Sequence, residues 1–109
     1  CDAHGVKAKV TYVTTCIPTF NSFKQTESAT KAAKNLFDEK KIDADCLPRL
    51  FSEDFAIMSD KKPGCFVLMG NGTTGSHSRP LHAPDYDFND ELLVLGSSYW
   101  VELVEQQLK

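Results

Sequence analysis

The five residues Cys65 to Met69, CFVLM, are apolar at every position, and they constrain this chain more than any other segment. Alternate side chains of an extended segment point to opposite faces, so a strand with no polar face must be covered on both sides. That pattern belongs to a mainly parallel sheet with layers above and below. A chain of 109 residues has room for one modest core, so the expected class is α/β.

The flanking segments read as elements of such a fold. Residues 6–13, VKAKVTYV, alternate, with Val6, Ala8, Val10 and Tyr12 on one face and Lys7, Lys9 and Thr11 on the other, as in a half-exposed strand. TTCIPTFNS follows as a hinge, because Pro18 cannot donate to a ladder and holds its predecessor extended. Ser22 to Gln25 fits an S-x-x-Q capping box, and Ala29, Ala32, Ala33, Leu36 and Phe37 recur at helical spacing, predicting a helix that ends near Lys40. Ser52, with Glu53 and Asp54 behind it, is placed to cap a short helix carrying Phe55, Ile57 and Met58, which KKPG stops. Asn89 is placed to cap a last helix of about 20 residues with Leu93, Gly96, Trp100, Leu103, Val104 and Gln107 along one stripe. Gly96 is a poor helix former by up to ~1 kcal/mol, which close packing would offset.

Composition excludes several classes of function. A net charge of -3 gives no electrostatic reason for nucleic acid or an anionic membrane as partner. No run approaches the roughly 18 apolar residues of a membrane span. Cys1, Cys16, Cys46 and Cys65 form no C-x-x-C pair and lack the density of a disulfide scaffold, so they read as reduced thiols in a cytoplasmic setting. The chain starts at Cys1 with no targeting pattern, as a segment from inside a longer protein would.

Several motifs imitate chemistry. Gly70, Gly72 and Gly75 match the dinucleotide fingerprint, but SHSRPLHAP follows the third glycine, where a helix N-terminus would have to meet the pyrophosphate. The glycines instead suit close passage of backbone past a ligand, or positive φ. Asp85, Asp87 and Asn89 imitate the start of a calcium loop, but Asp90 and Gly96 stand where glycine and a bidentate glutamate are required, so these side chains are expected to cap and solvate the last helix. The sequon Asn71-Gly72-Thr73 stands alone. His77 and His82 lack the spacing of a zinc site, and spacing alone leaves both as hydrogen-bonded loop residues.

Three segments in order change the reading of His82. SEDFAIM, KKPGCFVLMGNG and LHAPDYDFNDELLVLGSSYWVEL together resemble the C-terminal part of the hippurate hydrolase and auxin-conjugate hydrolase branch of the zinc-dependent aminoacylase and carboxypeptidase family. GVKAKVTYVTTCIPTFNS resembles the stretch where that family's lid domain returns to the catalytic domain. The resemblance implies the closing portion of a zinc-exopeptidase-like three-layer α/β sandwich, preceded by the last strand of an α+β lid and dimerisation domain. Residues 1–14 would be the lid strand, 15–21 the hinge and 22–109 the end of the catalytic domain.

It further implies two zinc ions in the complete protein, with His82 of the LH motif as the one ligand from this chain, and a small N-acyl amino acid or peptide-like substrate lined by Gly70, Asn71 and Gly72. The catalytic glutamate and remaining ligands lie upstream in the family, so no catalytic residue is assigned here and the chain alone is expected to be inactive. The rest of the catalytic domain and a second copy, through the lid, are the implied partners. Ala83 departs from the family's usual LHNP. Glu53, Asp54 and His77 receive no role from the resemblance. The competing expectation is a non-catalytic binding or oligomerising module that keeps the fold without a complete metal site.

Overall fold

The capping and stop signals that punctuate the sequence become three α-helices in the computed structural model, which describes residues 1–109. They are α1 (Phe23–Leu36), α2 (Phe55–Lys61) and α3 (Glu91–Leu108), joined by extended segments and three short 3-10 turns at Asp2–His4, Glu39–Lys41 and Gly75–Ser78.

No strand forms, which overturns the expected α/β sandwich. A strand is defined by the partner whose N–H and C=O groups it meets, and the chain supplies none to residues 6–13 or 65–69. Val10 and Tyr12 are almost fully exposed, and of CFVLM only Cys65 and Phe66 are half-buried. One short substitute for a ladder exists. The Asn21 carboxamide accepts from Phe66 N at 2.8 Å and donates to Phe66 O at 3.0 Å, while Ser22 N donates to Gly64 O at 2.8 Å. A side-chain amide thus pairs with one residue of the extended segment as a neighbouring strand would.

The core lies between α1 and α3. Ala29 and Ala32 are buried on α1, and their small side chains let α3 approach closely enough for the Tyr99 hydroxyl to donate to Ala29 O at 3.1 Å. Phe37 stacks on Tyr99 with ring centroids 6.5 Å apart. At the other end of the contact Gln106 Nε2 donates to Ser28 O and Oγ at 3.1 and 2.7 Å. Asn35 Nδ2 donates to Glu102 at 2.6 Å, so the helices pair in antiparallel order.

Local details depart from expectation for identifiable reasons. The capping box at α1 is not made: Ser22 precedes the helix, but its hydroxyl accepts from Gly64 N at 3.3 Å instead. α1 stops at Leu36 because Phe37 turns extended toward Tyr99, and the Asp38 carboxylate then takes the Lys40 N–H at 2.9 Å to start a 3-10 turn. α2 begins after Asp54, without a Ser52 side-chain cap, and ends where expected, at Lys61 before KPG. Its buried residue is Ala56, with Ile57 and Met58 exposed. Phe55 packs on Phe66 at 5.5 Å between centroids, and a Cβ on Gly64 would stand 3.0 Å from the Phe55 ring.

On α3 the inward stripe is Leu92, Gly96, Tyr99, Leu103 and Gln106, not the expected one, and Leu93, Trp100 and Val104 face outward. Gly96 is not required by close packing here, since a Cβ would meet only Met69 Sδ at 4.0 Å.

The whole is too open to be a finished domain. Its radius of gyration is 19.3 Å, against ~13 Å for a compact chain of this length. It exposes 9618 Å², against ~6000 Å² for a folded monomer of 12.1 kDa, an excess of roughly 3600 Å². No helix is long and apolar enough to cross a membrane.

Candidate functional site

The loop between CFVLM and α3 is the most highly organised non-helical part of the chain. At its base stands Asn71, half-buried, whose carboxamide is fully engaged. Its Nδ2 donates to His77 O at 3.0 Å and to Asp87 O at 2.8 Å, and its Oδ1 accepts from Asn89 N at 2.8 Å. Asn89 answers with its own amide, donating from Nδ2 to Asn71 O at 3.2 Å and accepting from Glu91 N at 3.1 Å. The expected Asn89 cap is therefore present, and the same side chain joins the loop base to the first turn of α3. A satisfied hydrogen bond contributes about 1 kcal/mol net, and more is lost when a partly buried partner is stranded.

The two limbs above this base lean on each other. His77 Nδ1 lies 3.3 Å from Asp87 O and 3.8 Å from its carboxylate, so with the proton on Nδ1 it donates across the loop. Higher up, Arg79 Nε meets Asp85 Oδ2 at 2.9 Å. That pair is exposed and worth at most ~1 kcal/mol, but its geometry holds the limbs together. Asp85 and Asp87 thus brace the loop, contrary to the expectation that they serve the last helix. At the tip, Ala83 N donates to Pro80 O at 3.0 Å, closing a turn whose third residue is His82.

His82 has φ of 72°, the one positive φ outside glycine. Left-handed backbone costs an L-residue about 1 kcal/mol or more, and a glycine would adopt it freely. The imidazole is exposed, and neither ring nitrogen bonds to anything within the chain. The loop therefore offers an open imidazole on a strained, cross-braced tip. No three His, Cys, Asp or Glu side chains converge to hold a metal ion.

The glycines divide by geometry. Gly72, with φ of 151°, is locked in place: a Cβ there would lie 2.9 Å from His77 Cβ. Gly75, with φ of 64°, opens a 3-10 turn of four residues where a dinucleotide site would need a helix. Gly70 has open space around it. No acceptor in the chain takes the N–H of Gly70, Asn71 or Gly72, which leaves three consecutive donors available to an anionic group.

Glu53 and Asp54 make no side-chain hydrogen bond or ion pair; their carbonyls accept from Ala56 and Ile57 at the start of α2. The bracing roles of Asn71, Arg79 and Asp85 were not anticipated from sequence. The signal that could have found the brace is pairing at equal offsets about His82, five residues away for His77 and Asp87 and three for Arg79 and Asp85.

The description of peptidase family M20/M25/M40 matches residues 5–106. The hippurate hydrolase of Campylobacter jejuni subsp. jejuni serotype O:2 is 29% identical over 107 residues, which cover 98% of this chain and 27% of that relative. The chain thus spans about a quarter of the length of the curated relative it matches. No solved structure matches.

Proposed function

This chain belongs to peptidase family M20/M25/M40, and on that premise we propose that it is the C-terminal part of a protein that hydrolyses the amide bond of N-acyl amino acids or similar small conjugates, releasing a carboxylic acid and an amino acid. The similarity to a hippurate hydrolase supports the reaction class. The observation that carries the reading is His82, whose unbonded imidazole stands on a braced, left-handed tip. Strain of that kind persists where surrounding structure insists on it, and it concentrates at functional positions.

In this reading His82 is one ligand to a zinc pair whose remaining ligands, and the general base, come from polypeptide outside these residues. Zinc, when bound, would lower the pKa of a water and polarise the scissile carbonyl. The part played by this chain's own groups is to present the imidazole and to offer the N–H groups of Gly70, Asn71 and Gly72 to the substrate's carboxylate or to a developing oxyanion. By itself the chain holds no converging ligand set and is expected to turn over nothing. In this reading the working protein is a homodimer associating through its lid, in the cytoplasmic setting that four cysteines without a C-x-x-C pair suit.

The test is zinc content and hydrolysis of N-acyl amino acids by the full-length protein, with His82→Ala alongside. The substitution should lower kcat/KM by more than the ~10- to 100-fold typical of a change outside the ligands themselves. An active His82→Ala enzyme, or a parent that is metal-free and inert, overturns the reading.

A second reading is favoured by the uncovered apolar surface of α3 and the N-terminal segment: a non-catalytic module that associates with a complementary polypeptide or with itself. Sedimentation decides it, because a stable monomer exposing no hydrophobic patch contradicts association.

A further inference from the structure

Residues 71–89 form a finger whose contacts are symmetric about His82: His77 faces Asp87 and Arg79 faces Asp85, with the closed Pro80–Ala83 turn at the tip. Only Asn71 touches both limbs at once from below, through one N–H to His77 O on the outgoing limb and the other to Asp87 O on the returning limb. Its oxygen meanwhile accepts Asn89 N, tying the returning limb to the head of α3. The carboxamide is the one side chain that can do this in place, because it carries two donors and an acceptor in a single plane. An aspartate of the same shape would set one carboxylate oxygen against both carbonyl oxygens while the other still accepted Asn89 N. Gly72 next to it leaves room for the His77 side chain to close over the base, 2.9 Å from where a Cβ would stand.

We propose that Asn71 is a positioning residue: its carboxamide clasps the two limbs of the 71–89 finger and thereby fixes the direction in which the tip presents His82. The same assignment explains how an exposed tip keeps a residue in left-handed backbone. The Arg79–Asp85 pair alone is exposed and weak, whereas the clasp at the base is half-buried and uses every hydrogen-bonding atom of the side chain. The consequence for a bound metal rests on the reading of His82 given above; the clasp itself does not, and the two are measured separately.

The experiment is hydrogen–deuterium exchange of the full-length protein, metal-free, as wild type, Asn71→Asp and Asn71→Gln. Asn71→Asp keeps the volume and removes both donors, and Asn71→Gln retains them. Amides of residues 78–89 should exchange at least about 10-fold faster in Asn71→Asp, with α1 and α3 unchanged and with partial recovery in Asn71→Gln. Unchanged exchange in the finger overturns the proposal, and so does equal loss of protection in α1, α3 and both variants, which would make Asn71 a general stabiliser and not a clasp.

Zinc alone is then titrated into the same three proteins. A roughly 10- to 100-fold weaker affinity in Asn71→Asp, recovered in part by Asn71→Gln, is the expected mark of a group that orients a ligand. A loosened finger with unaltered zinc affinity keeps the clasp and sinks His82 as a ligand.

Discussion

Gly70 and Gly72 sit two positions apart and invite the same explanation, yet their surroundings separate them. A methyl at Gly72 would lie 2.9 Å from His77 Cβ and 3.3 Å from His77 O, and the backbone there has φ of 151°. Both objections are intrinsic to the folded loop, so Gly72→Ala should destabilise the protein by about 1 to 3 kcal/mol, the usual cost of strained backbone combined with overpacking. A methyl at Gly70 meets nothing within 4 Å. Gly70→Ala should therefore leave thermal stability within about 0.5 kcal/mol of wild type and, on the proposal that these N–H groups meet substrate, raise KM. Denaturant melts and steady-state kinetics on both variants check this, and equal stability losses in the two would contradict the division. How these residues differ was beyond the reach of sequence. GNGTTG announces glycines, but which one needs its missing side chain depends on His77 folding back across five positions. His82 is singled out by resemblance alone, because a lone imidazole carries no spacing; what the structure adds is its left-handed backbone at the loop tip. The clasp by Asn71 was not legible at all, since its partners are mostly backbone carbonyls, which every residue possesses.

The stop of α2 and the start of α3 were the best-read boundaries, because their signals are local, whereas the capping box of α1, its end near Lys40 and the Ser52 cap of α2 did not form. Pro63 and Gly64 stop α2 within the reach of one turn, and Asn89 caps α3 through Glu91 N at 3.1 Å. The strands were misread because pairing partners are not local; alternation in residues 6–13 describes what a strand would bury, not whether another strand is present to bond it. The inward stripe of α3 failed for a different reason. With Leu93, Val94, Trp100, Val101 and Val104 exposed opposite Leu92, Tyr99 and Leu103, the helix is apolar nearly all round, and periodicity then cannot choose a face. Two consequences are measurable. Gly96→Ala should raise the helicity of α3 in the isolated chain and stabilise it by up to ~1 kcal/mol, because Met69 Sδ at 4.0 Å is the only neighbour a methyl would meet; reduced helicity by circular dichroism contradicts this.

The second concerns Tyr99, which is buried and donates to Ala29 O. Burial, with a smaller contribution from Cys65, pushes its phenol up from the ordinary range near 10. A folded pKa above the unfolded one means the folded state holds the proton more tightly, so this contribution to stability is complete below about pH 10 and is lost as pH rises through the folded value. Tyr99→Phe should cost about 1 kcal/mol at neutral pH and abolish that part of the alkaline loss. Paired melts of the two proteins across the alkaline range measure it, and identical pH dependence would refute the assignment.

The molecule as a whole is held by one helix pair. Four residues are buried, three of them alanines, and such a core cannot offset the conformational entropy of 109 ordered residues, which amounts to on the order of 100 kcal/mol or more. The excess surface of roughly 3600 Å² on this one chain is larger than the ~1000 to 2500 Å² that each partner gives to a permanent interface, and is closer to the cut face of a core. A surface of that extent, bearing Trp100 at 68% exposure and Val10 at 87%, is what a segment shows when its cover is supplied by other polypeptide. The chain produced alone should accordingly bind a hydrophobic dye, unfold without a sharp transition, and either scatter as an expanded particle well above ~13 Å in radius of gyration or self-associate. The full-length protein should unfold cooperatively and leave the dye dark. These two behaviours follow from the same apolar faces, uncovered in one case and covered in the other. A compact, dye-silent monomer of the 109-residue chain with a steep denaturant transition would mean that α1, α3 and the finger rearrange into a closed core of their own, and the dependence on further polypeptide would then be false.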